Sequence, residues 1–133
     1  MDKEIFLYVN SKDSLSFHPE NNPSDFTVEL PEIINFNSCW VICLTEIYIR
    51  DDLTYPINIF CDICEQSIQD GELKSILKVI YPDCIQFSNL HYIPIKVSSV
   101  SRIRFSIKGG STGKESVLSN PVQMSLHLYR KNE

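Results

Sequence analysis

"VQMSLHLYR" occupies residues 122–130 and sets the reading of the whole chain. Val122, Met124, Leu126 and Leu128 fall at every second position, with Gln123, Ser125, His127 and Tyr129 between them. An extended backbone sends successive side chains to opposite faces, so this order gives one apolar and one polar face. A helix would mix the two sets. The segment therefore reads as a β-strand buried on one side and solvated on the other, the condition of a strand in an antiparallel sheet.

The same period of two runs through the chain. Extended segments are expected at 4–9, 25–30, 39–49, 57–63, 74–80, 92–97, 102–107 and 122–130. The stretches between them ("HPENNPSD", "RDDLTYP", "KGGSTGKE") hold much of the Gly, Pro, Asn and Asp, residues that favour turns for backbone reasons. Pro31 and four further prolines are expected at segment borders, where a missing N–H breaks no ladder bond. "EQSIQDGELKSIL" at 65–77 has a weak helical pattern interrupted by Gly71, so one short helical turn is the most it predicts.

Two segments depart from simple alternation. In "CWVICLTEIYI" (39–49), Trp40, Ile42, Leu44, Glu46 and Tyr48 share one face, and Cys39, Val41, Cys43, Thr45, Ile47 and Ile49 the other. Both faces are largely apolar, which predicts a central strand or one covered by a second body. Glu46 in such company is expensive to bury unpaired. In "RIRFSIK" (102–108), Arg102, Arg104, Ser106 and Lys108 line one face against Ile103, Phe105 and Ile107. The basic row predicts either a solvated sheet face or a partner for acids on a neighbouring subunit.

The chain has 133 residues, 43% of them hydrophobic, enough for one core and too few for two comfortable ones. Eight short strands in that length predict an all-β domain over residues 1–133: a single eight-stranded antiparallel jelly roll, built as a two-sheet β-sandwich. A seven-stranded immunoglobulin-like sandwich is the neighbouring solution. Seventeen acidic against 12 basic residues leave a formal charge of −5, which argues against a nucleic-acid partner, since phosphate contacts need a positive field. No apolar run approaches the roughly 20 residues that span a bilayer, and the N-terminal apolar run is too short for a signal peptide. Synthesis in the cytosol without secretion by a signal peptide is the expectation.

Chemistry-bearing residues are sparse. The five cysteines, at 39, 43, 61, 64 and 84, sit mostly in apolar runs, where Cys behaves as a small hydrophobe. Cys61 and Cys64 form a C-x-x-C, but alternation would place them on opposite faces of a strand. His18, His91 and His127 form no H-x-H pair and read as solvated or hydrogen-bonded side chains. Cys84 and His91 are seven residues apart with no nucleophile elbow or oxyanion glycines beside them. "KGGSTGKE" lacks phosphate-loop spacing and lies between two strands. No catalytic, cofactor or metal site is assigned, and the chain is not expected to be an enzyme.

Five blocks, taken together, resemble a known family. They are "FLYVNSKDSLSFHPENNPSDFTVELPEII" (6–34), "CWVICLTEIYI" (39–49), "IFCDICEQSIQDGELKSILKVI" (59–80), "FSNLHYIPIKVSSVSRIRFSIKGGSTG" (87–113) and "VQMSLHLYRK" (122–131). Their features and order resemble the penton-type minor capsid proteins of Polinton/Maverick elements and the related adintoviruses. The resemblance implies a jelly roll that assembles with itself, as a homopentamer at an icosahedral vertex, beside a double-jelly-roll major capsid protein. It implies a structural protein of the virion. Trp40, Glu46, Tyr48, Arg102 and Arg104 are the candidate subunit-contact residues. The alternative is a β-sandwich module that binds carbohydrate or peptide.

Overall fold

A computed structural model describes residues 4–82 and 90–131. Among them there is no helix, and hence none long and apolar enough to cross a membrane. Ten strands form in chain order: β1 (Glu4–Asn10), β2 (Asp25–Asn35), β3 (Trp40–Tyr48), β4 (Ile57–Cys61), β5 (Ser67–Gln69), β6 (Glu72–Lys74), β7 (Ile76–Ile80), β8 (Ile93–Pro94), β9 (Ser99–Lys108) and β10 (Gln123–Arg130). Two four-stranded antiparallel sheets pack face to face, in the orders β1-β10-β3-β8 and β2-β9-β4-β7. We call these the first and second sheets.

The two strands beyond the expected eight are β5 and β6, a hairpin of their own. Its turn is Asp70-Gly71, with φ of 51° and 75°. Two successive positive φ values are what a type I′ turn requires, and Asp-Gly supplies them at low cost. The dipeptide was the readable signal in this stretch, and the weak helical period was not. The expected strand at 74–80 starts at Ile76, and that at 92–97 shrinks to Ile93–Pro94, extended by an isolated bridge between Ile95 and Cys64.

The core lies between the sheets. Val122, Met124, Leu126 and Leu128 are buried, as their alternation requires. Leu126 stands between Leu7 and Leu44 across the first sheet, and Leu128 between Ile5 and Ile42. From the second sheet come Ile103, Phe105 and Ile107, all buried, with the Phe105 ring 5.5 Å from that of Phe26 on β2.

β2 runs five residues past its expected end and contains Pro31. The proline is accommodated because β2 is an edge strand whose register with β9 breaks between Glu29 and Ile34. The outer edge of its first half is covered by the loop that precedes it. Asn21 acts there as a surrogate strand: its Oδ1 accepts from Thr27 N–H at 2.9 Å, and its Nδ2 donates to Thr27 O at 2.8 Å and to Asp13 O at 3.1 Å. Ser14, held at φ 60°, accepts from Glu29 N–H through Oγ at 2.9 Å.

The basic row of β9 faces outward from the second sheet, and its acids lie on β2 of the same chain. Arg102 Nε sits 3.2 Å from Glu29 Oε1, which also meets His18 Nε2 at 2.7 Å. Arg104 forks onto Asp25, with Nε–Oδ1 at 2.9 Å and Nη2–Oδ2 at 2.6 Å. That fork is the main reason the Asp25 carboxyl is held below its ordinary value, against the opposing effect of burial. Asp62, which accepts from the Arg104 backbone N–H, is shifted the other way, chiefly by burial, against the opposing pull of that bond and of the Arg104 charge. A depressed carboxyl stabilises the fold above its unfolded pKa and loses that contribution as pH falls through its folded one. In acid titrations followed by circular dichroism, Arg104→Gln should remove a stability step that wild type shows below about pH 4. Superimposable profiles would show the fork to be energetically silent.

Candidate functional site

The segment 39–49 is central in the first sheet, between β10 and β8, and its faces are not those that strict alternation assigns. The register steps from Leu126↔Leu44 directly to Ser125↔Glu46. Thr45 is the extra residue of a β-bulge, and its Oγ1 donates to Ser125 O at 3.0 Å. A bulge changes the parity of the strand and re-aims the side chains beyond it. Trp40, Ile42 and Leu44 therefore face the core, and past the bulge Ile47 takes the inward position opposite Met124. Glu46 and Tyr48 turn outward. Glu46 is exposed, so no carboxylate is buried here.

The five candidate contact residues consequently fall in three places. Trp40 is 3% exposed and packs edge-on against Phe36, 5.4 Å between ring centroids, so it is a core residue. Arg102 and Arg104 lie on the outer face of the second sheet. Glu46 and Tyr48 lie on the outer face of the first sheet, and the structure adds neighbours that the alternation did not single out.

That face is aromatic. Phe6, Tyr8 and Tyr48 are 58%, 76% and 60% exposed. Phe6 stacks on His127 at 4.6 Å with the planes 12° apart, and His127 stacks in turn on Tyr129 at 5.6 Å. Tyr92, from the segment entering β8, meets His127 and Tyr129 edge-on at 5.8 and 4.9 Å. Tyr92 Oη lies 2.9 Å from His127 Nδ1, and His127 Nε2 lies 3.0 Å from Glu4 Oε1. A carboxylate only accepts, so His127 donates from Nε2 to Glu4, which leaves Nδ1 to share a hydrogen bond with the Tyr92 hydroxyl. Burial, followed by the charges of Cys43, Tyr129 and Glu4, pushes the Tyr92 phenol up. A raised pKa keeps the phenol protonated, the opposite of what activates a nucleophile.

Beside this cluster the face opens into a cleft of about 460 Å³. β10 forms its floor with Gln123 and Ser125. Tyr8, Asn10 and Asp13 come from β1 and the turn after it, and Glu46 and Tyr48 from β3. Tyr8, Ser125 and Glu46 share one cross-strand row, and Asn10, Gln123 and Tyr48 the next. Asp13 Oδ2 accepts from Asn10 N–H at 2.9 Å.

Three of the thiols, those of Cys43, Cys61 and Cys64, are buried. β4 ends at Cys61, and a turn closed by Cys64 N–H on Cys61 O brings Cys64 back inward. Both are fully buried, contrary to the opposite faces that a continued strand would impose. Burial is the leading cause that drives the Cys61 thiol well up, with its contact to the Cys64 thiol adding to it. Cys43 is buried and Cys39 exposed, and Cys84 lies outside the described residues, as does any pairing of Cys84 with His91. No group of three or more His, Cys, Asp or Glu suited to a metal ion occurs among the described residues.

Fold and site together define a two-sheet antiparallel β-sandwich with an aromatic face and an adjoining polar cleft. No family model, curated protein or solved structure matches the chain.

Proposed function

We propose that the protein is a jelly-roll structural subunit of a viral capsid, of the penton type, which assembles with copies of itself. The strand order carries this reading. With the β5–β6 hairpin set aside, the remaining eight strands order 1-8-3-6 and 2-7-4-5, an order that supports a jelly roll of the kind common in capsid proteins. Lectins and cupins share that arrangement, so the order speaks for architecture, and the resemblance of the five sequence blocks selects the capsid use.

Two uncovered patches support self-assembly. One is the aromatic face of the first sheet. The other is a mainly apolar groove of about 500 Å³ between the edge strands β1 and β2, lined by Ile5, Leu7, Leu30, Pro31 and Ile33 together with the charged Glu32. A closed ring of identical subunits needs two unlike, matching patches on each copy. In this reading Glu46 and Tyr48 are subunit contacts, Trp40 serves only the core, and a double-jelly-roll major capsid protein is the neighbour in the virion.

Light scattering on the size-exclusion peak tests the proposal. The expected mass is about five times the 15.3 kDa protomer. A particle that stays at protomer mass up to high micromolar concentration overturns it in favour of a monomeric binding module.

A further inference from the structure

We propose that the cleft on the first sheet is a receptor for a cationic side chain, arginine before lysine, presented by a partner polypeptide. This goes beyond the assembly reading and does not rest on it.

Every group of the cleft that carries charge or a quadrupole has the same sign. Asp13 and Glu46 supply two carboxylates, and among the described residues no lysine or arginine lines the cleft. Lys12 and Arg50, close in the chain to Asp13 and Tyr48, are exposed and stand outside the lining. Tyr8 and Tyr48 present rings whose faces are negative, and both are mostly uncovered. They rise from strands on either side of β10 and in adjacent cross-strand rows, so their backbones lie diagonally about 12 Å apart. A flat group laid on the Gln123–Ser125 floor can stack against either ring.

A guanidinium matches these features. It is planar, stacks on tyrosine, and directs a fork of N–H donors at a carboxylate. The Gln123 side-chain amide on the floor offers a carbonyl for a remaining donor. A neutral ring would use the stacking surfaces and leave both carboxylates without a counter-charge.

The bulge is what builds the cleft. Without the parity change at Thr45, Glu46 and Tyr48 would point into the core, and the site would lose one carboxylate and one wall. Bulges often re-aim side chains beside functional sites.

The test uses N-acetyl-arginine amide as probe, followed by the NMR resonances of Tyr8 and Tyr48. The isosteric, uncharged N-acetyl-citrulline amide and a methyl glucoside serve as controls. Saturable shifts at those two tyrosines are expected, with a Kd of roughly 1–10 mM that weakens with added salt. The citrulline analogue should bind at least about five-fold more weakly. Glu46→Gln and Tyr48→Ala should each weaken the arginine probe by about five-fold, and Tyr48→Phe should restore it because the ring is kept. Both positions are exposed, so the variants should keep the β circular-dichroism signature. Arg102→Glu, on the opposite sheet, should leave binding unchanged. Equal binding of the citrulline analogue, preference for the glucoside, shifts confined to other residues, or no saturable shift each overturns the proposal. Because the assembly reading uses Glu46 and Tyr48 as subunit contacts, the titration is read on protein diluted to protomer mass, where failure to bind the probe counts against this proposal alone.

Discussion

Phe105→Ala is expected to destabilise the protein by about 3–5 kcal/mol and lower Tm by about 10–20 °C. Phe105 is fully buried on β9 between Phe26 of β2 and Cys61 of β4, its register partners on either side. Truncation removes the transfer free energy of a whole ring and leaves a cavity between two sheets, neither of which can collapse without breaking its own ladder. Set against the 5–15 kcal/mol that typically holds a domain together, this is a large fraction. Tyr8→Ala, at a 76% exposed ring, is the matched control and should stay within about 0.5 kcal/mol of wild type. Urea denaturation of the two variants provides the measurement. Similar midpoints would mean that the interface between the sheets is not where it is placed here.

Asn21→Ala should cost about 2–3 kcal/mol, although no apolar contact is lost. The substitution removes both bonds to the Thr27 backbone and the bond to Asp13 O. It strips the cover from the first half of an edge strand, leaving Thr27 N–H and C=O to find water or another chain. Hydrogen exchange should show Thr27 opening faster in the variant while Ile103, deep in β9, keeps its protection relative to the global stability. An unaltered Thr27 rate would show that the loop is not what protects the edge. A rise in association with protein concentration is the expected companion effect, because a bared edge is a template for strand pairing.

Much of the fold was legible in the sequence because burial in an antiparallel sheet repeats every two residues. The inward row of β10 and the three inward residues of β9 are where the alternation puts them. The hairpin at Asp70-Gly71 was legible too, in its turn dipeptide, though a weak helical period obscured it. Pro31 misled for a definable reason. A proline ends a central strand but is tolerated where an edge strand breaks register, and edge or centre is not a local property.

The site was legible only in part. Glu46 and Tyr48 stand out as a carboxylate and a phenol in an apolar strand, yet alternation assigns them to the core side with Trp40. Their companions Tyr8, Asp13 and Gln123 lie far away along the chain. The same holds for the basic row: Arg102 and Arg104 could be read as a row, but their acids could not be placed, because Glu29 and Asp25 reach them only through β2–β9 pairing.

The sequence by itself determined that this chain forms strands, which residues of most strands face inward, and where most of the turns fall, since each depends on neighbours a few residues apart. Only the tertiary structure decided the order of the strands, the outward turn of Glu46 and Tyr48, and which charges meet. Those depend on register between distant segments, and a single extra residue at Thr45 reverses the faces of everything after it in its strand.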